Sequence, residues 1–288
     1  MLLSELFDQL AVDLAGAGVP PARADARDLI AAILDKPRFW PSANQSLDLD
    51  EAITARIHDA GAKMARGMPM QYAVGRAAFR HLNLRVDQRV LIPRPETEML
   101  VELVLGLSGQ GGTVVDVGTG SGAIALALAS EGRFDRVIAT DSSEGALEVA
   151  RANLEAIPVE KRALLDFRLG NLLEPLAGGE RVRAIVSNPP YISPAEEGDL
   201  PSGVRDWEPP LALFSGEDGM AAIRGIVRKA AVLLEPLGLL AIEVDSRRAA
   251  LARECAATDT RYRDVEVRTD LTGRERFLVA RLKQTQER

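Results

Sequence analysis

The sequence predicts an α/β protein: a mostly parallel sheet with helices on both faces, preceded by a small helical bundle and a β-hairpin. Three observations carry this. Apolar residues recur at helical spacing through residues 1–75. Residues 77–92 change to stretches of alternation. From Glu96 onward, short β-branched runs alternate with helical stretches, the pattern of strand–helix–strand units.

Taken in order, Leu6, Leu10 and Leu14 mark one face of a first helix that stops at Gly16. A second is expected over 22–34, opened by Pro20-Pro21 and closed before Pro37. A third starts after Asp50, whose carboxylate suits an N-cap, and carries Ile53, Ile57 and Met64 on one side before ending near Gly67. Residues 1–76 therefore read as a helical domain. In the linker 77–95, Leu82, Leu84 and Val86, then Val90 and Ile92, predict a hairpin with Asp87-Gln88 between its arms. Pro93 and Pro95 stiffen the entry to a third region, 96–288. There, strands are expected at 113–117, 137–140, 184–187 and 239–244, and helices at 123–130, 144–156 and 219–234. Residues 264–268 and 276–281 are close enough to pair as a terminal hairpin.

Composition narrows the function classes. Cys255 is the single cysteine, so an internal disulfide or a cysteine-based metal cluster is excluded and a reducing compartment is expected. The opening MLLSELFDQL has acids and no basic stretch, unlike a signal peptide. No apolar run reaches the roughly 18 residues needed to span a bilayer. A soluble, cytoplasmic protein with no membrane partner is the expectation. The net charge is −7, and residues 1–80 carry ten Asp or Glu against nine Lys or Arg. Nucleic-acid backbones are usually bound by basic surfaces, so no direct nucleic-acid partner is expected.

The segment VVDVGTGSGAIALALA joins a strand to a helix. Gly118, Gly120 and Gly122 let backbone approach a ligand where a Cβ would clash. Asp141 ends the next strand, where a carboxylate can accept both ribose hydroxyls of an adenosine. Two cofactors satisfy this spacing. Gly118 to Ala123 meets the dinucleotide pattern G-x-G-x-x-G/A; Asp116 to Gly122 meets the acid-plus-glycine pattern of S-adenosylmethionine sites. Asp116 favours the second, because a carboxylate beside the loop repels a pyrophosphate and tolerates an ammonium and a sulfonium. Asp116, Gly118, Thr119, Gly120, Ser121, Gly122 and Asp141 are the candidate cofactor residues.

The strand at 184–187 runs into Asn188-Pro189-Pro190-Tyr191. Consecutive prolines fix an extended exit and leave carbonyls without neighbouring amide donors. The Asn188 side-chain carbonyl and the Pro189 main-chain carbonyl can accept from one NH2 group, and Tyr191 offers a flat face to a planar group. An amide nitrogen is a poor nucleophile because its lone pair is delocalised. Two acceptors out of the amide plane favour a more tetrahedral nitrogen whose lone pair can meet a sulfonium methyl. No strong base is needed, so catalysis is positioning and preorganised dipoles. Asn188, Pro189, Pro190 and Tyr191 are the candidate catalytic residues.

The glycine turn together with Asn188 to Tyr191 resembles the class I methyltransferases that act on exocyclic or amide nitrogens. Further segments narrow the resemblance to release factor glutamine methyltransferases: Leu91-Ile-Pro-Arg-Pro-Glu-Thr-Glu98, Gly67-x-Pro-x-Gln-Tyr72 with Gly75 and Phe79, Val204 to Leu213 with Gly216-Glu-Asp-Gly219, and Asp270 to Arg276. The match runs in order from about residue 67 to 281. It implies a Rossmann-like, seven-stranded catalytic domain using S-adenosylmethionine, and a helical domain that helps grip the release factor. The substrate would be the glutamine of the Gly-Gly-Gln loop. It also implies that Asn188 lies beside the cofactor, and that Asn171 and Leu172, after the fourth strand, contact the adenine. Ribosomal-protein glutamine and nucleic-acid amino-group methyltransferases share Asn-Pro-Pro-Tyr and are the alternatives; a dinucleotide oxidoreductase would leave that motif unexplained.

Two positions depart from the family. Asn171 stands where Asp is common, and Asp245 within Glu243 to Arg248 replaces a usual glycine, which puts the local backbone in question. Arg94 and Glu98 fit either a ligand contact or a solvated helix start. Trp207 suits a cleft, a lid or a core equally. His58 and His81 have no carboxylate or cysteine at a useful spacing and read as surface or packing residues. No metal site is expected.

Overall fold

The computed structural model describes residues 1–176 and 178–284. The chain divides into two units: Met1–Arg76 with Pro201–Trp207, and Ala77–Leu200 with the chain from Glu208 onward.

The first unit is helical. Its main helices span Leu3–Gly16, Ala22–Leu34 and Glu51–Ala65, with short turns at Trp40–Ala43 and Met70–Val74. Leu3, Leu6, Leu10 and Leu14 bury one face of the first helix against Leu29, Ile30, Ile57 and Met64. Asp50 caps the third helix by accepting the Ile53 N–H at 2.7 Å.

The second unit opens with a two-stranded hairpin, β1 (Arg76–Phe79) and β2 (Leu82–Arg85). Its turn lies at Arg80-His81, not at Asp87-Gln88. Arg80 takes the left-handed conformation the tight turn needs (φ 51°), and its amide donates to Glu98. Asp87 instead closes a local turn by accepting from the Arg89 amide and guanidinium, so the apolar positions Val90 and Ile92 are buried without forming a strand.

A seven-stranded sheet follows, formed by β3 (Thr113–Val117), β4 (Arg136–Asp141), β5 (Leu165–Leu169), β6 (Val182–Ser187), β7 (Leu234–Glu243), β8 (Tyr262–Thr269) and β9 (Glu275–Leu282). The order is β5-β4-β3-β6-β7-β9-β8. β3 to β7 are parallel; β9 runs antiparallel to β7 and pairs with β8 as the expected terminal hairpin. Strand β5 and the helices Pro95–Leu107 and Ala249–Thr258 extend the set that the sequence pattern assigns.

Alternate residues of the buried strands feed two cores. Val114 packs with Leu100, Val104 and Ile124 on one face, and Val115 and Val117 with Ile223 and Ile226 on the other. The chain winds outward from β3 through β4 to β5, then crosses back to β6 and β7. The direction reverses between β3 and β6, which opens a crevice at the carboxyl ends of those strands. Among the described residues, no helix is long and apolar enough to cross a membrane.

Candidate active site

A cavity of about 410 Å3 lies at that reversal. Four strand ends contribute to its lining. Gly118, Thr119, Gly120 and Ser121 follow β3, Asp141 ends β4, Asn171 and Leu172 follow β5, and Asn188 and Pro190 follow β6. Asn171 and Leu172 thus follow the third strand of this sheet, not the fourth. The strands align so that Val117 pairs with Thr140 and with Ser187, which brings these termini to one edge.

The glycine turn is tied down from below. The Gly118 and Thr119 amides both donate to the Thr140 carbonyl at 2.9 Å, and Gly120 N–H donates to Asp141 Oδ2 at 2.9 Å. Gly118 and Gly120 are left-handed, with φ of 73° and 55°, and a Cβ on either would meet nothing within 4 Å. These two glycines open to a ligand. Gly122 does not line the cavity; a Cβ there would crowd Leu126 and Ala150, so it serves the packing of the helix Ala123–Glu131.

Asp141 accepts from Gly120 and, through Oδ1, from the Ser143 amide at 2.9 Å. Burial raises its pKa while these backbone amides pull it back. Each oxygen keeps a further lone pair for a hydroxyl. Asp116 is fully buried beneath the turn and does not line the cavity. Its Oδ2 accepts from Thr119 Oγ1 at 2.7 Å and from the Ala125 amide at 3.1 Å, whereas Oδ1 has no hydrogen-bond partner. Burial pushes the Asp116 carboxyl up to about 7, so its charge is a weaker barrier to a pyrophosphate than its position in the sequence suggests.

Leu172 is left-handed (φ 50°), with its carbonyl held by Thr140 Oγ1–H at 2.8 Å. Asn171 beside it is exposed at the cavity rim. Two open glycines and a carboxylate with lone pairs free for the ribose hydroxyls together fit an adenosine ligand.

At the opposite wall, Asn188 Nδ2–H donates to Thr97 Oγ1 at 3.1 Å, and Thr97 Oγ1–H donates to Glu243 Oε2 at 2.8 Å. Pro189 is buried. Tyr191 also lies off the cavity lining; its ring packs against the core cluster that includes Ile223 and Leu240. Burial first, and then the nearby Glu243 charge, push its phenol up to about 12. The structure therefore brings Asn188 and Pro190 to the cavity with Gly118 to Ser121 and Asp141, and leaves Pro189 and the Tyr191 ring outside its lining.

Among the described lining residues, the ionisable ones are Arg89, Arg94 and Asp141. Arg89 pairs with Asp87 and Glu148. Arg94 Nη2 donates to both oxygens of Glu208, at 2.7 and 2.6 Å. Burial raises the Glu208 pKa even against that guanidinium. No histidine lines the cavity among the described residues. His81 lies apart, between Ser130 and Glu131. Trp207 belongs to the helical unit, and its indole faces Gly67.

The 243–248 departure is accommodated. Asp245 avoids the left-handed region, and its Oδ1 accepts the Arg247 amide at 3.0 Å while its carbonyl accepts the Arg248 amide at 2.9 Å. Sequence reasoning gave no role to Thr97 or Glu243. The one available signal was that Thr97 lies inside the Arg94 to Glu98 signature.

Comparison with known proteins agrees with this arrangement. Residues 95–200 match the Methyltransferase small domain family and residues 5–75 the PrmC N-terminal domain family. The chain is 43% identical over 268 residues to a release factor glutamine methyltransferase of Mycolicibacterium smegmatis, covering 93% of each chain. It is 39% identical over 284 residues to that of Moorella thermoacetica, covering 97% of this chain and 98% of the relative. The crystal structure of a methyltransferase from Pyrococcus furiosus shares the fold, with a TM-score of 0.52 at 18% identity, covering 82% of this chain and 100% of that one. Identity at this level over nearly the whole chain, with the glycine turn and Asn188 meeting at one cavity, shows that the chain belongs to the release factor glutamine methyltransferase family.

Proposed function

We propose that the protein methylates the side-chain amide nitrogen of the glutamine in the Gly-Gly-Gln loop of peptide chain release factors, using S-adenosylmethionine. The observation that carries this beyond family membership is the placement of Asn188 on the wall of the cavity that the glycine turn and Asp141 also line. When bound, the cofactor supplies an electrophilic sulfonium methyl.

The chain's own residues do the rest. Asp141 would accept the ribose hydroxyls, and the Gly118 to Ser121 turn would hold the rest of the cofactor against its open backbone. Asn171 and Leu172 border the adenine. Asn188 accepts from the substrate amide NH2, with the Pro189 carbonyl as second acceptor, and holds the nitrogen with its lone pair toward the methyl. Pro189 and Pro190 stiffen this exit, and Tyr191 buttresses it from behind. No histidine lines the cavity among the described residues, and after transfer the proton of the alkylated, acidic nitrogen passes to solvent. Such a site accelerates by orientation and fixed dipoles. The helical unit grips the release factor, and the enzyme works in the cytoplasm with its substrate.

The test is mass spectrometry of a purified release factor incubated with the protein and S-adenosylmethionine. One added CH2 on the Gly-Gly-Gln glutamine is expected, with Asn188→Ala slowing turnover by roughly 10²-fold. Near-normal turnover in that variant refutes the role of Asn188. No gain on the release factor, with labelled methyl appearing in ribosomal protein or RNA, refutes the substrate.

A further inference from the structure

Asn188 rests on two buried side chains contributed from elsewhere in the domain. Thr97 sits in the first turn of the helix Pro95–Leu107, and Glu243 ends β7, the neighbour of β6. They are 4% and 1% exposed. The contacts form a chain: Asn188 Nδ2–H to Thr97 Oγ1 at 3.1 Å, then Thr97 Oγ1–H to Glu243 Oε2 at 2.8 Å.

The direction of this chain has a chemical consequence. Burial pushes the Glu243 carboxyl up to about 7, against the Thr97 hydroxyl and the Arg276 and Arg94 charges that pull it down. In its ionised form it only accepts, and the single hydroxyl proton of Thr97 is then committed to it. What remains on Oγ1 is lone-pair density, which accepts and does not donate. The Asn188 amide must therefore turn its NH2 edge toward Thr97, leaving Oδ1 on its other side. A side-chain amide has two orientations of nearly equal shape. The flipped one would present donors where a substrate NH2 group needs an acceptor.

We infer that Thr97 and Glu243 are positioning residues that hold the Asn188 amide in the one orientation that offers its carbonyl oxygen to the substrate amide. This rests on the reading of Asn188 as the acceptor for glutamine. It also accounts for a carboxylate in the core, where an apolar residue of similar size is commonly no less stable.

The experiment measures methyl transfer to a purified release factor by the parent protein, Thr97→Val, Thr97→Ser and Glu243→Gln, with S-adenosylmethionine affinity by calorimetry and folding by urea midpoint. Thr97→Val keeps the shape and removes the hydroxyl. Its kcat is expected to fall by about 10-fold or more, as for loss of an orienting partner, with cofactor affinity unchanged. Thr97→Ser keeps the hydroxyl and loses a methyl, and is expected to stay close to the parent. A packing role predicts the reverse order, because valine fills the site and serine leaves a void. A valine variant as active as the parent, or less impaired than the serine variant, overturns the proposal. Glu243→Gln lets Thr97 donate toward Asn188 instead, and is expected to lower kcat several-fold even where Thr97→Val does not fold; unchanged kcat overturns the proposal as well. Asn188→Ala runs alongside. If it keeps parent turnover, the acceptor reading itself fails; if it is inactive while Thr97→Val is not, only the positioning role fails.

Discussion

Replacing Gly219 with alanine should disable the enzyme from outside the cavity. Gly219 has φ +75°, and a Cβ on it would lie 2.2 Å from the Tyr191 carbonyl oxygen and 2.3 Å from Arg248 Nε. An ordinary carbon–oxygen contact is about 3.3 Å, so the Tyr191 backbone would have to retreat by roughly 1 Å. Arg248 cannot yield instead. Its Nε donates to the Asp218 carbonyl at 3.0 Å, it pairs with Glu196, and its side chain is buried. The left-handed backbone costs alanine about 1–2 kcal/mol. Overpacking against backbone adds about 1–3 kcal/mol, for a total of roughly 2–5 kcal/mol. Because Tyr191 closes the Asn188 segment, a displacement of about 1 Å there should lower kcat by roughly 10²-fold. Gly273 is the control: its φ is +81°, with nothing within 4 Å of a Cβ. Gly273→Ala should cost only the backbone term of about 1–2 kcal/mol and leave kcat unchanged. Urea midpoints and methyl transfer to a release factor are measured on both variants. If Gly219→Ala matches Gly273→Ala in both assays, the coupling of the Gly216 to Gly219 segment to Tyr191 is refuted.

Two further outcomes are expected. Asp141→Ala should weaken S-adenosylmethionine binding by about 1.5–3 kcal/mol, the range for a charge-assisted hydrogen bond, and unchanged affinity by calorimetry would remove Asp141 from the site. The second concerns pH. Burial pushes the Asp116 carboxyl up to about 7 from an ordinary value of 3.8. Between those values the folded state holds a proton that the unfolded chain has lost, so this group's contribution to stability is full below the lower value and fades as pH rises through 7. Asp116→Asn, which cannot ionise, should therefore gain in urea midpoint on the parent as the cofactor-free proteins are taken from pH 5 to 8. A constant difference across that range would show that Asp116 does not titrate there.

Legibility of the fold followed burial. β3 is readable to the residue because the valines at 114, 115 and 117 form a short β-branched run bounded by Gly112 and Gly118, with both faces covered. β5 is an edge strand, half-buried along most of its length. It carries Asp166 and Arg168, which pair with Arg136 and Glu180. Its sequence therefore lacks the apolar signal. Alternation continues through Val86, Val90 and Ile92, all buried, after the backbone pairing has ended, which shifts the apparent turn from Arg80-His81 to Asp87-Gln88. Only the contact of Arg80 with Glu98, eighteen residues on, distinguishes the true turn.

The residues of the site divide in the same way. Motifs carried by one strand end and its loop are local, so the sequence by itself determined the glycine turn, the acid at the end of β4 and the Asn188 segment, along with the family. It could not determine which of them share a wall with which supports. Thr97 reaches Asn188 across 91 residues and Glu243 across 146. Those distances close only because β6 and β7 are neighbours and the helix Pro95–Leu107 lies over them. The tertiary structure alone decided that Gly122 and Tyr191 lie outside the cavity lining, and that Asp116 is fully buried with one oxygen unpartnered. Burial is the physical reason, because desolvation and the identity of a donor at hydrogen-bond distance are properties of the packed chain and of no segment taken alone.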